Sequence, residues 1–179
     1  MQNELDIVRD VSACLDGASI AYMLTGSMAM NYYAEPRMTR DIDIVIALSP
    51  ADAPTIIRVF TPDYYVPEES IAESIRTEFM FNLIHQESVI KVDFIVRKSS
   101  PYRQAEFERR QRITVRDFTT CIVSKEDLIL SKLAWARDAE SDLQLRDVKN
   151  LTATGCDAAY IERWTREIGV HPLWEACRP

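Results

Sequence analysis

Glycine is scarce in this chain, with Gly17, Gly26, Gly155 and Gly169 the only four among 179 residues, so each invites a reason for its position. Histidine is scarcer still: His85 and His171 stand alone, and Cys14, Cys121, Cys156 and Cys177 are scattered without a C-x-x-C pair. A zinc cluster would therefore be short of ligands, and the thiols read as small buried hydrophobes. Long apolar runs are missing too. The longest is about a strand in length, far below the roughly 18 residues of a membrane-spanning helix, so no membrane partner is expected. The opening Met-Gln-Asn-Glu-Leu-Asp lacks the basic-then-apolar order of a signal peptide, and a cytoplasmic location is the expectation. Positive charge is in deficit, 21 basic against 28 acidic residues for a net −7, which excludes a generic polyanion-binding surface while leaving room for a local basic patch.

What is present describes an ordinary globular chain: 47% hydrophobic and 27% charged residues, enough to bury about 70% of the unfolded surface at this length. Leu5, Val8, Val11 and Leu15 predict an amphipathic helix closed at Gly17. Ile20 to Leu24 predicts a short buried strand, followed by Gly26-Ser27 and a helix to Tyr33. In the strand from Asp41 to Ile46, Ile42, Ile44 and Ile46 share one face while Asp41, Asp43 and Val45 share the other. Ser49-Pro50 caps a helix to Phe60 that Pro54 would strain. Phe79–Ile84 and Val89–Val96 predict a hairpin; Ser100-Pro101 opens a helix; 113–123 holds one or two short strands. Ser124 to Asp127 resembles a capping box before a helix to about Arg137, with helices over 143–151 and 158–168. A boundary near residue 120 divides a sheet-rich part, 1–120, from a helical part, 121–179, within one unit.

Asp-x-Asp by itself is weak, because a chain this acidic produces about four such pairs by chance. Its setting carries more. Two aspartates on an Ile/Val-rich strand would each cost several kcal/mol to bury unpaired, so a positive partner is expected: a metal ion, or Arg37 and Arg40 at the strand's exposed end. Asp93 lies on a second apolar strand beside Lys91, and pairing of the two strands would bring three carboxylates together as a cage for divalent ions. Gly26 permits close backbone approach, and Ser27 with the free amides of the following helix suits a phosphate, although a tight turn with a capping serine explains the same pair.

The order of strand, Gly-Ser, helix, strand with Asp-x-Asp and later strand with one Asp resembles the polymerase-beta-type nucleotidyltransferase superfamily. Leu24-Thr25-Gly26-Ser27, Arg37-Met38-Thr39-Arg40-Asp41-Ile42-Asp43, Val92-Asp93, Glu126 to Leu133 and Gln144 to Val148 resemble its AbiEii-type toxin branch over residues 18 to 150. The resemblance implies an α+β fold with a mixed central sheet, flanking helices and a helical C-terminal portion. It implies transfer of a nucleoside monophosphate from a nucleoside triphosphate to an acceptor hydroxyl on RNA or protein. Asp41, Asp43 and Asp93 would hold two magnesium ions, or manganese, and Gly26, Ser27, Arg37 and Lys132 would bind the nucleotide with Asp147 in support. Lys132 also fits a lysine snorkelling from an apolar helix face. The branch implies the toxin-like member of a toxin-antitoxin or phage-defence pair, with a cognate antitoxin as partner; a catalytically silent nucleotide- or partner-binding module and an antibiotic-type enzyme are the rival readings.

From Arg97 to Arg116, seven basic residues face only Glu106 and Glu108, a local +5, with Tyr102 and Phe107 interleaved. That pattern suits a single-stranded RNA end stacking on the rings, or a solvated helix face. Trp135, Trp164 and Trp174 read as core or interface.

Overall fold

In the computed structural model, which describes residues 2–178, the first helix α1 (Glu4–Gly17) opens on a reciprocal cap: Asn3 accepts from the amides of Leu5 and Asp6, and Asp6 accepts from the amide of Asn3. Its exit differs from the glycine stop expected. Gly17 is still helical, and the left-handed residue is Ser19 (φ 57°), where the chain turns back so that the Ile20 amide reaches the Leu15 carbonyl.

The strands are β1 (Tyr22–Thr25), β2 (Ile42–Ile46), β3 (Tyr64–Tyr65), β4 (Met80–His85), β5 (Lys91–Val96), β6 (Gln111–Val115) and β7 (Phe118–Ile122), in one mixed sheet of order β3-β4-β5-β2-β1-β7-β6. β2 runs antiparallel to β1 and parallel to β5. Period-two alternation sorts the side chains. Ile42, Ile44 and Ile46 stand opposite Val92, Phe94 and Val96, all at most 2% exposed, which explains why these strands read as apolar on one face only. The helices α1, α3 (Ala53–Phe60) and α4 (Glu68–Thr77) cover that face, with Phe60 packed on Phe94 and Ser12 hydrogen-bonded to Thr120. Thr25, Asp43, Val45, Asp93 and Ile95 fall on the other face, beneath α2 (Gly26–Tyr33) and α6 (Lys125–Ala139).

The remaining helices are α5 (Pro101–Glu108), α7 (Asp142–Ala153), α8 (Ala158–Glu167) and α9 (His171–Cys177), α7 and α8 packing on α6. The fold is α+β, a mixed sheet flanked by helices. Pro54 causes no strain, because a 3-10 turn over Pro50–Asp52 takes up the first residues and α3 restarts with Pro54 in its first turn. The 113–123 region is a hairpin of β6 and β7. Among the described residues no helix is long and apolar enough to cross a membrane.

Candidate functional site

The parallel register of β2 and β5 places Asp43 directly beside Asp93, and the antiparallel register of β1 places Thr25 on Asp43's other side. Both carboxylates are buried, at 9% and 7% exposure. Burial first, and then the charges of Asp93 and Asp41, push the Asp43 carboxyl up from 3.8 to about 6, against the opposing pull of Lys132 and Lys91. One Asp93 oxygen accepts from Lys91 Nζ at 2.8 Å, while the other, Oδ1, is buried with no hydrogen-bond partner. An orphaned carboxylate oxygen is costly unless something positive reaches it. Hard oxygen donors on two adjacent strands, one of them unsatisfied, fit a divalent cation such as magnesium.

Asp41 behaves differently from its two companions. It precedes β2 and is exposed, so it stands at the lip of the site rather than in its floor. The arrangement is a buried pair, Asp43 and Asp93, with Asp41 as an outer third. Elsewhere among the described residues, Glu162, His171 and Glu175 offer ligand atoms within 4.8 Å of one another, but their carboxylates already engage Arg166 at 2.5 Å and Arg178 at 2.8 Å.

Gly26 begins α2 with φ +61°, and a Cβ there would lie 2.0 Å from Asp43 Oδ2. Glycine is thus required twice, for the left-handed backbone and for the approach to the carboxylate. Thr25, not Ser27, occupies the helix cap position, and Ser27 Oγ accepts from Arg37 Nη2 at 2.6 Å. Arg37 reaches across to Asp147 on α7 with a fork, Nε to Oδ1 at 3.2 Å and Nη2 to Oδ2 at 3.1 Å, and Asn31 pins the Arg37 backbone through both its amide and its carbonyl. Lys132 Nζ donates to the same Asp147 at 2.7 Å and to Gln144 at 3.0 Å. Snorkelling is therefore not what Lys132 does: it is 3% exposed, and burial lowers its pKa while Asp147 raises it. Asp147 is the hub that ties Ser27's arginine to the lysine beside Asp43. Sequence reasoning missed Asn31 and quoted Gln144 only within a motif, without a role, because the partners of both lie on other elements.

A cavity of about 250 Å3 opens from the Gly26–Asp43 corner, between the sheet face bearing Val45 and Ile95 and the α6 face bearing Leu128, Lys132 and Trp135. Trp164 and Trp174 are core as expected, whereas Trp135 is 51% exposed on this cavity's wall. The basic segment also departs from its RNA-stacking expectation. Tyr102 and Phe107 are 4% and 3% exposed, so neither ring face is open to a base. Arg103 is held by Glu106 at 2.8 Å, Arg109 by Asp127 at 3.1 Å and Arg112 by Asp16 at 3.3 Å, and Arg110 lies over Phe107. The charge excess is spent mostly on the fold itself.

No protein-family model and no curated protein matches the chain. Solved structures do. The chain is similar to an antigenic nucleotidyltransferase-like protein from Paracoccidioides brasiliensis (14% identity, 96% of this chain and 89% of that one, TM-score 0.61). It is likewise similar to the antibiotic-resistance factor ANT(2″)-Ia (11%, 94% and 97%, TM-score 0.61) and to the lincosamide antibiotic adenylyltransferase LnuA (16%, 80% and 93%, TM-score 0.51). The fold is that of nucleotidyltransferases.

Proposed function

We propose that the protein is a metal-dependent nucleotidyltransferase that moves a nucleoside monophosphate from a nucleoside triphosphate to an acceptor hydroxyl. The observation that carries this is the side-by-side burial of Asp43 and Asp93 with an unpartnered Asp93 oxygen, under a glycine turn that leaves no room for a side chain. Divalent ions held by Asp43 and Asp93, with Asp41 at the lip, would supply charge neutralisation at the attacked phosphate and at the departing pyrophosphate. The protein's own groups do the rest. Gly26 and Ser27 with the α2 amides receive the triphosphate, Arg37 turns its guanidinium from Ser27 toward phosphate oxygen, and Lys132 stabilises charge at the leaving side. Asp147 holds both cations in place. Asp93 takes the acceptor proton as the new O–P bond forms; the Pα–O–Pβ bond breaks and pyrophosphate leaves.

On its motifs, the reading extends to a toxin-like member of a toxin-antitoxin or phage-defence pair, with RNA or protein as acceptor and an antitoxin as partner. Incubation of the parent chain with each labelled triphosphate, magnesium and total RNA or protein is expected to label one acceptor pool, and Asp93→Asn to label none. Metal-dependent nucleotide binding without labelling of any acceptor would favour the silent binding module instead, and equal labelling by Asp93→Asn would refute the mechanism.

A further inference from the structure

The cavity beside Asp43 begins at Gly26 and Lys132, which share its wall with the triphosphate site, and its far part extends past them. Ser27, Arg37 and Asp147 are absent from its lining, which continues instead along β5 and α6. From Asp93 the chain advances four residues to Arg97, about 13 Å at strand rise, so the cavity has a carboxylate end and a distant end. In an in-line displacement the attacking oxygen enters opposite the leaving pyrophosphate. The compartment across the carboxylates from Ser27 and Arg37 is then where an acceptor's body lies.

Its chemistry is legible. The walls are Val45, Ile95, Leu128 and Ala134, with the half-exposed indole of Trp135 at the side. Two acids line it beyond Asp43, and both are engaged: Glu106 by Arg103 and Ser131, Asp138 by Arg137 at 2.7 Å. Two cations line the distant end, and neither has a carboxylate partner among the described residues: Lys98, exposed, and Arg97, over the Phe107 ring, whose Nε is buried without a hydrogen-bond acceptor. An apolar slot with an indole wall suits a flat ring, and a pair of cations held in no ion pair, with only the Arg137-bound Asp138 acting on Lys98, suits an anion.

We infer that this cavity binds the acceptor, and that the acceptor is a small ring-bearing molecule with a carboxylate or phosphate that meets Arg97 and Lys98 while its hydroxyl reaches Asp93. This rests on the nucleotidyl-transfer step alone and not on the toxin-like extension, whose RNA or protein acceptor it replaces with a small molecule; it also points away from polycationic acceptors, which the same cations would repel.

The test uses three probes that differ in charge: 1-naphthyl phosphate, 1-naphthalenemethanol and 1-naphthylmethylamine. Each is titrated calorimetrically into the full chain already saturated with a non-hydrolysable nucleoside triphosphate and magnesium. The Trp135 indole N–H resonance reports the site, and Trp164 and Trp174 serve as buried references. The phosphate is expected to bind at least roughly tenfold tighter than the amine, to shift Trp135 alone among the three indoles, and to lose roughly tenfold in affinity in Arg97→Met or Lys98→Met, as for a lost charged hydrogen bond. Lys98→Met, at an exposed position, keeps the test valid if Arg97→Met fails to fold. An amine that binds as tightly as the phosphate, a phosphate affinity unmoved by the variants, displacement of the probe by the triphosphate, or an oligoribonucleotide that outcompetes the probe through the same two cations would each overturn the inference. Failure of the triphosphate itself to bind would remove the parent reading as well; a bound triphosphate with no anion preference removes only this one.

Discussion

Asp43→Asn is expected to make the metal-free protein more stable and the enzyme inactive. The Asp43 carboxyl is raised from 3.8 to about 6 by burial and by the neighbouring charges of Asp93 and Asp41. The native state therefore holds that proton more tightly than the unfolded chain does, and the stability associated with it is fully present below about pH 4 and lost as pH rises through 6. A shift of about two units corresponds to roughly 3 kcal/mol, and screening at the open side of the cleft reduces it to about 2 to 3 kcal/mol. For a chain of this size that is roughly 4 to 12 °C of melting temperature. Scanning calorimetry without divalent ions should show parent and Asn variant melting together near pH 4 and separating near pH 7.5, with the variant higher. Excess magnesium should then raise the parent and leave the variant where it was, because an amide offers no charge to the ion. A variant that melts below the parent at pH 7.5 without metal would refute the argument that Asp43 is held charged against its surroundings.

Gly26→Ala should cost about 1 to 3 kcal/mol and weaken manganese binding measured by paramagnetic resonance, since the added Cβ at φ +61° meets Asp43 Oδ2 at 2.0 Å; unchanged manganese affinity would separate the turn from the carboxylate. Lys132→Met leaves Asp147 with Arg37 alone and should lower stability by about 1 to 3 kcal/mol in denaturant unfolding, with calorimetric affinity for a non-hydrolysable triphosphate reduced by about 1.5 to 3 kcal/mol. Glu106→Gln removes the buried charge that holds half-buried Arg103 and Ser131, and urea unfolding should show a loss of about 1 to 3 kcal/mol; no loss would mean that Arg103 finds water.

Much of the site was legible because it obeys strand periodicity. Asp43 and Asp93 each stand opposite a strand face that is all Ile, Val or Phe, and the two-residue period marks them as candidates while leaving a solvated or arginine-bridged placement open. Gly26 stood out through scarcity. The sequence had no means of showing that β2 and β5 are neighbours, since 49 residues, with the helices α3 and α4 among them, separate Asp43 from Asp93 in the chain order and the parallel pairing follows from the whole sheet. Asp41 shows where the two-residue period stops: the strand begins one residue later, so the placement of this exposed residue is set by the preceding loop and not by the ladder. Short elements escaped for a related reason. β3 has two residues and α9 seven, too few for any period to register, while α4 carries just Ile71 and Ile75 as buried apolar signals on an acidic stretch.

The least legible features are those where two helices or a helix and a strand meet, because the relative rotation of packed elements is absent from local pattern. Lys132 on an apolar face reads equally as snorkelling or as paired, and the register of α7 decides it by bringing Gln144 and Asp147 underneath. The basic segment shows how this changes a functional argument. Counting charges made all seven cations equivalent, yet Arg103, Arg109 and Arg112 are consumed by Glu106, Asp127 and Asp16, and the two aromatics are core. A paired arginine adds little field at a distance, because its partner's opposite charge lies within about 3 Å and cancels it beyond a Debye length. Of the four that remain, Arg97 and Lys98 line the cavity, at the end away from Asp43, and Arg110 and Arg116 do not. A net +5 spread over twenty residues would attract any polyanion, whereas two unpaired cations at the end of an apolar slot select one anionic group at one distance from the carboxylates.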